Sequence, residues 1–134
     1  MRFLTIIAMS ALLASCAMPT DDLINNRFPE IAPTSPSADI VGKWTGASGP
    51  YLITIEINPD GKGLYCYSWG EKNALNSAKH VIGRLHLQDG TSLALQRSGE
   101  KLIGESGYTG AKAIVFVADG ALVEASPYCK NHMN

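Results

Sequence analysis

Tyr51-Leu52-Ile53-Thr54-Ile55-Glu56-Ile57, then Asn58-Pro59-Asp60-Gly61, then Gly63-Leu64-Tyr65-Cys66-Tyr67-Ser68-Trp69, is the stretch that decides the fold. In the first run Tyr51, Ile53, Ile55 and Ile57 fall on one face and Thr54 and Glu56 on the other, the period-two pattern of a strand. The four residues that follow carry Pro at the second turn position and a Gly free to take positive φ, so the chain reverses there. The second run is the hairpin partner. Tyr65, Tyr67 and Trp69 share one of its faces, while Leu64 and Cys66 occupy the other and are expected to lie under the C-terminal tail.

Outward from this hairpin the pattern continues. Ile40 to Gly46 precedes it as a strand. After it come Val81 to Leu87, the Asp89-Gly90 turn, Ser92 to Arg97, the Ser98-Gly99 turn, Leu102 to Ser106, Ala111 to Val117, the Asp119-Gly120 turn and Ala121 to Ala125. Asp-Gly between alternating runs is a hairpin signal. Glu71 to Lys79, with Ala74, Leu75 and Ala78 at helical spacing, is the one stretch that reads as helix or loop. The expected fold is all-β: a single antiparallel meander barrel of about eight strands with one short helix, closed so that no edge is left exposed.

Composition supports a core and excludes some partners. The chain is 46% hydrophobic and 17% charged, which is too apolar for disorder. Its net charge of −1 comes with no block of like charge, so it lacks the basic patch that nucleic-acid binding needs. Between Ala17 and Asp39, Pro19, Pro29, Pro33 and Pro36 discourage helix and sheet and read as a tether, with Phe28 or Ile31 packing back onto the domain where part of it is ordered.

The N-terminus has a positive start at Arg2, an apolar stretch from Phe3 to Leu13 and small residues before Cys16, the three parts of an export signal. The apolar run is too short to span a bilayer. Leu13-Ala14-Ser15-Cys16 resembles the lipobox of bacterial lipoproteins. The resemblance implies cleavage after residue 15 and acylation of Cys16, hence anchoring to a membrane. Ala17 in place of Asp implies sorting to the outer membrane, with the domain on its periplasmic or cell-surface side. The expected organisation is a signal peptide over 1–15, a lipidated tether over 16–39 and a barrel over 40–134.

With Cys16 assigned to the anchor, Cys66 and Cys129 remain, and export favours a disulfide between them. Two buried free thiols, or a metal site drawing on Cys129 and His132, are the alternatives; no second paired motif supports the metal, and none is assigned.

Val41-Gly42-Lys43-Trp44 resembles the Gly-x-Trp opening of lipocalins and related calycin barrels, in which the Trp closes the barrel floor. Small periplasmic protease-inhibitor barrels share that opening. The chain departs from the lipocalin pattern in lacking a Thr-Asp-Tyr motif and an Arg in the last strand to stack on Trp44. Gly104-Glu105-Ser106-Gly107-Tyr108-Thr109-Gly110 is similar to the Ser-Gly-containing loop of membrane-bound lysozyme inhibitors, which makes Ser106 and Tyr108 candidate partner contacts.

Catalysis finds no constellation. A triad needs a base oriented by a carboxylate and an oxyanion hole, and His80, His86 and His132 have no such motif around them. His80 and His86 are read as surface histidines. No catalytic residue and no cofactor is assigned. The expected function is binding without chemistry, of a small apolar ligand or an envelope partner; Tyr65, Tyr67 and Trp69 are either packed interior, as aromatic alternation in a small barrel usually is, or the candidate ligand contacts. The alternatives are an inhibitor of a secreted hydrolase, lysozyme or protease, and a structural envelope protein.

Overall fold

The structure, a computed structural model, describes residues 26–134. The lipobox and Cys16 lie outside the described residues. Eight antiparallel strands close into a barrel in sequence order: β1 Gly42–Ser48, β2 Tyr51–Ile57, β3 Lys62–Trp69, β4 Lys72–Val81, β5 Arg84–Leu87, β6 Ser92–Ser98, β7 Lys101–Glu105 and β8 Ile114–Ala118, with β8 returning to β1. One short helix, α1 Pro127–His132, follows.

The count of strands matches expectation, but two segments exchange roles. Glu71 to Lys79, expected as helix or loop, contributes most of β4, paired along its length with β3. Its helix-forming residues alternate instead. Ala74 and Ala78 face inward opposite Tyr67 and Gly63, and Leu75 faces outward opposite Cys66. Apolar residues on both faces imitate a helical period, and pairing with β3 overrides propensity. Val81 to Leu87 is correspondingly not one strand, because the chain turns at Ile82-Gly83.

Ala121 to Ala125, expected as a strand, is irregular. The buried Asp119 carboxylate accepts the backbone N–H of Val123 at 2.7 Å and of Glu124 at 3.1 Å, and Leu122 takes φ 57°. Side-chain capture of these donors replaces a strand ladder. The helix lies after it, where Ser126 caps the N-terminus by accepting from Cys129 N at 3.1 Å and Pro127 occupies the first turn.

The barrel wall carries apolar residues on both faces where the C-terminal segment covers it. Thr45, Thr54, Cys66 and Leu75 form one row across β1 to β4. Thr45 Oγ1 donates to Asp119 at 2.8 Å, Thr54 Oγ1 lies 2.8 Å from Thr45 Oγ1, and Cys66 is bonded to Cys129. Leu122 and Met133 complete a small outer core with this disulfide. The sulfur of Cys129 is therefore committed, which disposes of the free-thiol and metal alternatives. His132 instead stacks on Tyr128 and donates through Nδ1 to its carbonyl at 2.7 Å.

Residues 26–39, read from composition as tether, lie with Ile40 against the outside of the barrel as a strap. Asn26 Nδ2 donates to the Gln88 carbonyl, and Phe28 is buried with Lys79 Nζ 4.5 Å from its ring. Thr34 N donates to the His80 carbonyl at 2.8 Å. Gly61, at φ 87°, sits beneath Thr34, where a Cβ would run into the Thr34 carbonyl. His80 is buried, contrary to the surface reading: its Nε2 accepts from Gly83 N at 3.0 Å and its Nδ1 donates to the Thr34 carbonyl at 2.9 Å. From its place on β4 it fastens strap to barrel.

Candidate functional site

The strap ends at the closed end of the barrel. There the buried Trp44 donates through Nε1 to the Ile40 carbonyl at 3.0 Å. The Arg97 guanidinium lies 5.1 Å from the Trp44 ring centre and donates to the Asp39 carbonyl. The cation that the last strand lacks is thus supplied by β6. Above this floor Ile55, Ile57, Leu85, Leu102 and Phe116 are buried almost completely, so the lower half of the interior is solid.

The upper half is not. A cavity of about 380 Å³ opens between the β1–β2, β5–β6 and β7–β8 connections. Ile53, Tyr65, Tyr67, Leu87, Leu93 and Ile114 form its wall, and Asp89, Thr91, Ser92, Ser106, Tyr108 and Lys112 stand among its lining near the mouth. The division follows from residue size. Gly104 on β7 makes room for the Phe116 ring, which fills the layer below, while the layer above is bounded by Ile53, Leu87, Leu93, Ile114 and the two tyrosines, which leave its centre empty. Apolar and aromatic side chains below a polar mouth can hold a small amphiphilic molecule, and this volume is near the low end of the usual range of about 300–1,000 Å³.

Of the three aromatics read from β3, two line this cavity. Tyr65 and Tyr67 are half-buried with ring centres 6.1 Å apart in an edge-on pair. Burial, with the Asp89 carboxylate and Tyr67 adding, pushes the Tyr65 phenol up to about 12, so it stays a neutral hydrogen-bonding group. Trp69 shares their face but lies past the rim, 46% exposed, with Lys72 Nζ 5.5 Å from its ring. Tyr51, which sequence reasoning left as an ordinary strand residue, links the set: its ring centre is 5.7 Å from that of Tyr67 and 5.4 Å from that of Trp69. Its position opposite Ser48 at the end of the hairpin was the available signal. Ser106 and Tyr108 line the same cavity from the β7–β8 loop.

The pKa of His86, on β5, is held below its ordinary value by partial burial, with the neighbouring Arg84 charge adding. It does not line the cavity.

With this geometry the comparisons with known proteins agree. A model of the family described as "Bacterial lipocalin LPS transport optimiser YedD" matches residues 25–133. The chain belongs to this family. Among solved structures, a YedD lipoprotein from Klebsiella pneumoniae subsp. pneumoniae MGH 78578 superposes with a TM-score of 0.57 at 12% identity, over 80% of this chain and 92% of that one. A lipocalin lipoprotein affecting virulence in Streptococcus pneumoniae gives a TM-score of 0.52 at 16% identity, over 63% of this chain and 98% of that one. At these identities the likeness is one of fold. No curated protein matches by sequence. In this YedD-family barrel the Trp44 floor is the element expected from Gly42-Lys43-Trp44, whereas the Arg97 contact on it and the open upper half are visible only in the structure.

Proposed function

We propose that this chain is an outer-membrane lipoprotein, acylated on Cys16 after removal of residues 1–15, whose barrel binds a single acyl chain in support of lipopolysaccharide transport. The observation that carries the reading is the half-filled interior: a solid floor under an aromatic-walled cavity of about 380 Å³ that is open at one end. That volume suits one chain or the apolar end of a small amphiphile, and it is too small for several chains together. Lys112, Thr91 and Ser92 near the mouth suit a polar headgroup above an apolar tail.

The family's description supports the transport setting, and the lipobox with Ala17 supports the address. Binding without chemistry is supported by the employment of two of the three histidines: His80 fastens the strap and His132 stacks within α1. An inhibitor would call for a filled barrel behind a protruding loop. Here Ser106 and Tyr108 border a cavity, which favours a ligand.

The test is binding of dodecanoate, followed by displacement of a polarity-sensitive naphthylamine dye, to the chain carrying Cys16→Ser. Saturable displacement is expected. Tyr67→Ala, which removes an aromatic wall, is expected to weaken it by roughly tenfold, since a buried aromatic contributes about 1–3 kcal/mol. No displacement, or equal affinity in the variant with an unchanged melting curve, would refute the reading.

A further inference from the structure

We propose that the open end of the barrel rests against the membrane that holds the anchor, with Trp69, Tyr51 and Tyr108 at the level of the lipid headgroups. The inference rests on the acylation of Cys16 proposed above.

Two independent observations lead to it. The first is where the described chain begins. The strap runs from Asn26, on the Gln88 carbonyl, past Lys79 to Thr34 and Ile40 at the floor. Gln88 adjoins Asp89, which lines the cavity, so the strap starts on the mouth side and descends away from it. Asn26 stands ten positions after Cys16. Such a length reaches at most about 35 Å when fully extended, and it leaves from the end that carries the cavity. Presenting the floor to the bilayer would require the tether to retrace the height of the barrel that the strap has already covered.

The second observation is the composition of that end. Tyr51, Trp69 and Tyr108 are 36%, 46% and 58% exposed. All three belong to connections or strand ends around the mouth. Ring systems with an apolar body and a polar tip settle at the membrane–water interface. Lys72 beside Trp69 and Lys112 in the mouth can extend to phosphates while their stems stay on apolar surface. Glu71 and Asp89 balance these charges, so contact through aromatic rings, not attraction to anionic lipid, is the fitting chemistry. The run Trp69, Tyr51, Tyr67, Tyr65 then leads from the headgroup level to the inner wall of the cavity. An acyl chain would pass along it without crossing open water.

The two tryptophans report the orientation, because Trp69 is at the mouth and Trp44 in the floor. Full-length acylated protein is reconstituted into vesicles of phosphatidylethanolamine and phosphatidylglycerol, with and without brominated acyl chains, and vesicle association is read by co-flotation. Quenching of most of the Trp69 emission is expected in brominated vesicles, and Trp69→Phe, which leaves Trp44 as the only tryptophan, is expected to abolish the quenching. Co-flotation without quenching of the wild type, or quenching that survives Trp69→Phe, would overturn the orientation and leave the anchor standing. Failure to co-float would overturn the anchor and this inference with it, while dodecanoate binding by the Cys16→Ser chain would be unaffected.

Discussion

Ile82 is 85% exposed and sits at φ 42°, followed by Gly83 at φ 76°, in a two-residue turn between β4 and β5. A β-branched side chain in the left-handed region crowds its own carbonyl, at a cost of about 1–2 kcal/mol. Nothing packs on the side chain to repay this; the backbone N–H donates to Thr34 Oγ1 at 3.0 Å, a bond any residue would make. Ile82→Asn, giving the Asn-Gly pair that such turns favour, is expected to stabilise the protein by about 1 kcal/mol. The thermal unfolding midpoint reads this, and an unchanged or lower midpoint would deny the strain. The same residue explains a misreading. Val81-Ile82 looks like strand interior, and an apolar β-branched residue at a turn position carries no turn signal. Only Gly83 hinted at the reversal.

Among the elements, the sequence was most legible where a period-two run led into a turn motif. The β2–β3 hairpin alternates and ends in Asn58-Pro59-Asp60-Gly61, and it is found where expected, with Asn58 and Gly61 hydrogen-bonded across the turn at 2.9 Å. It was least legible in β4, which is apolar on both sides, and after β8, where Asp119 intercepts the following segment. The disulfide was legible as a pairing but not as the centre of a second core. Its loop spans a sequence separation of 63, for which the chain-entropy model gives about 4 kcal/mol. Replacing both cysteines by serine is expected to lower unfolding stability in urea by about that amount. The loss should be accompanied by faster amide exchange in α1 and little change in β6 and β7. Uniform loosening of the whole barrel, or no loss, would argue against a locally acting clip.

Over the whole molecule, one end is sealed and the other is open. Trp44, Ile40 and Arg97 close the floor, and the strap from Asn26 to Ile40 binds the β4–β5 side to it. The candidate site was half visible beforehand: the period-two spacing of Tyr65, Tyr67 and Trp69 put them on one face. Whether that face was filled depended on which residues of the other strands met it. That Phe116 packs on Gly104 in the lower layer while Leu87, Leu93 and Ile114 stand opposite the tyrosines around an open space is identified only by register and packing. Tyr51 joins the set for the same reason.

The division into a solid half and a receiving half is the central claim, and methyl-resolved NMR of the Cys16→Ser chain titrated with dodecanoate tests it most directly. The account predicts saturable shifts at Ile53, Leu87, Leu93 and Ile114, with Ile55, Ile57, Leu85 and Leu102 unmoved; shifts centred on the latter group, or none at either, would contradict it.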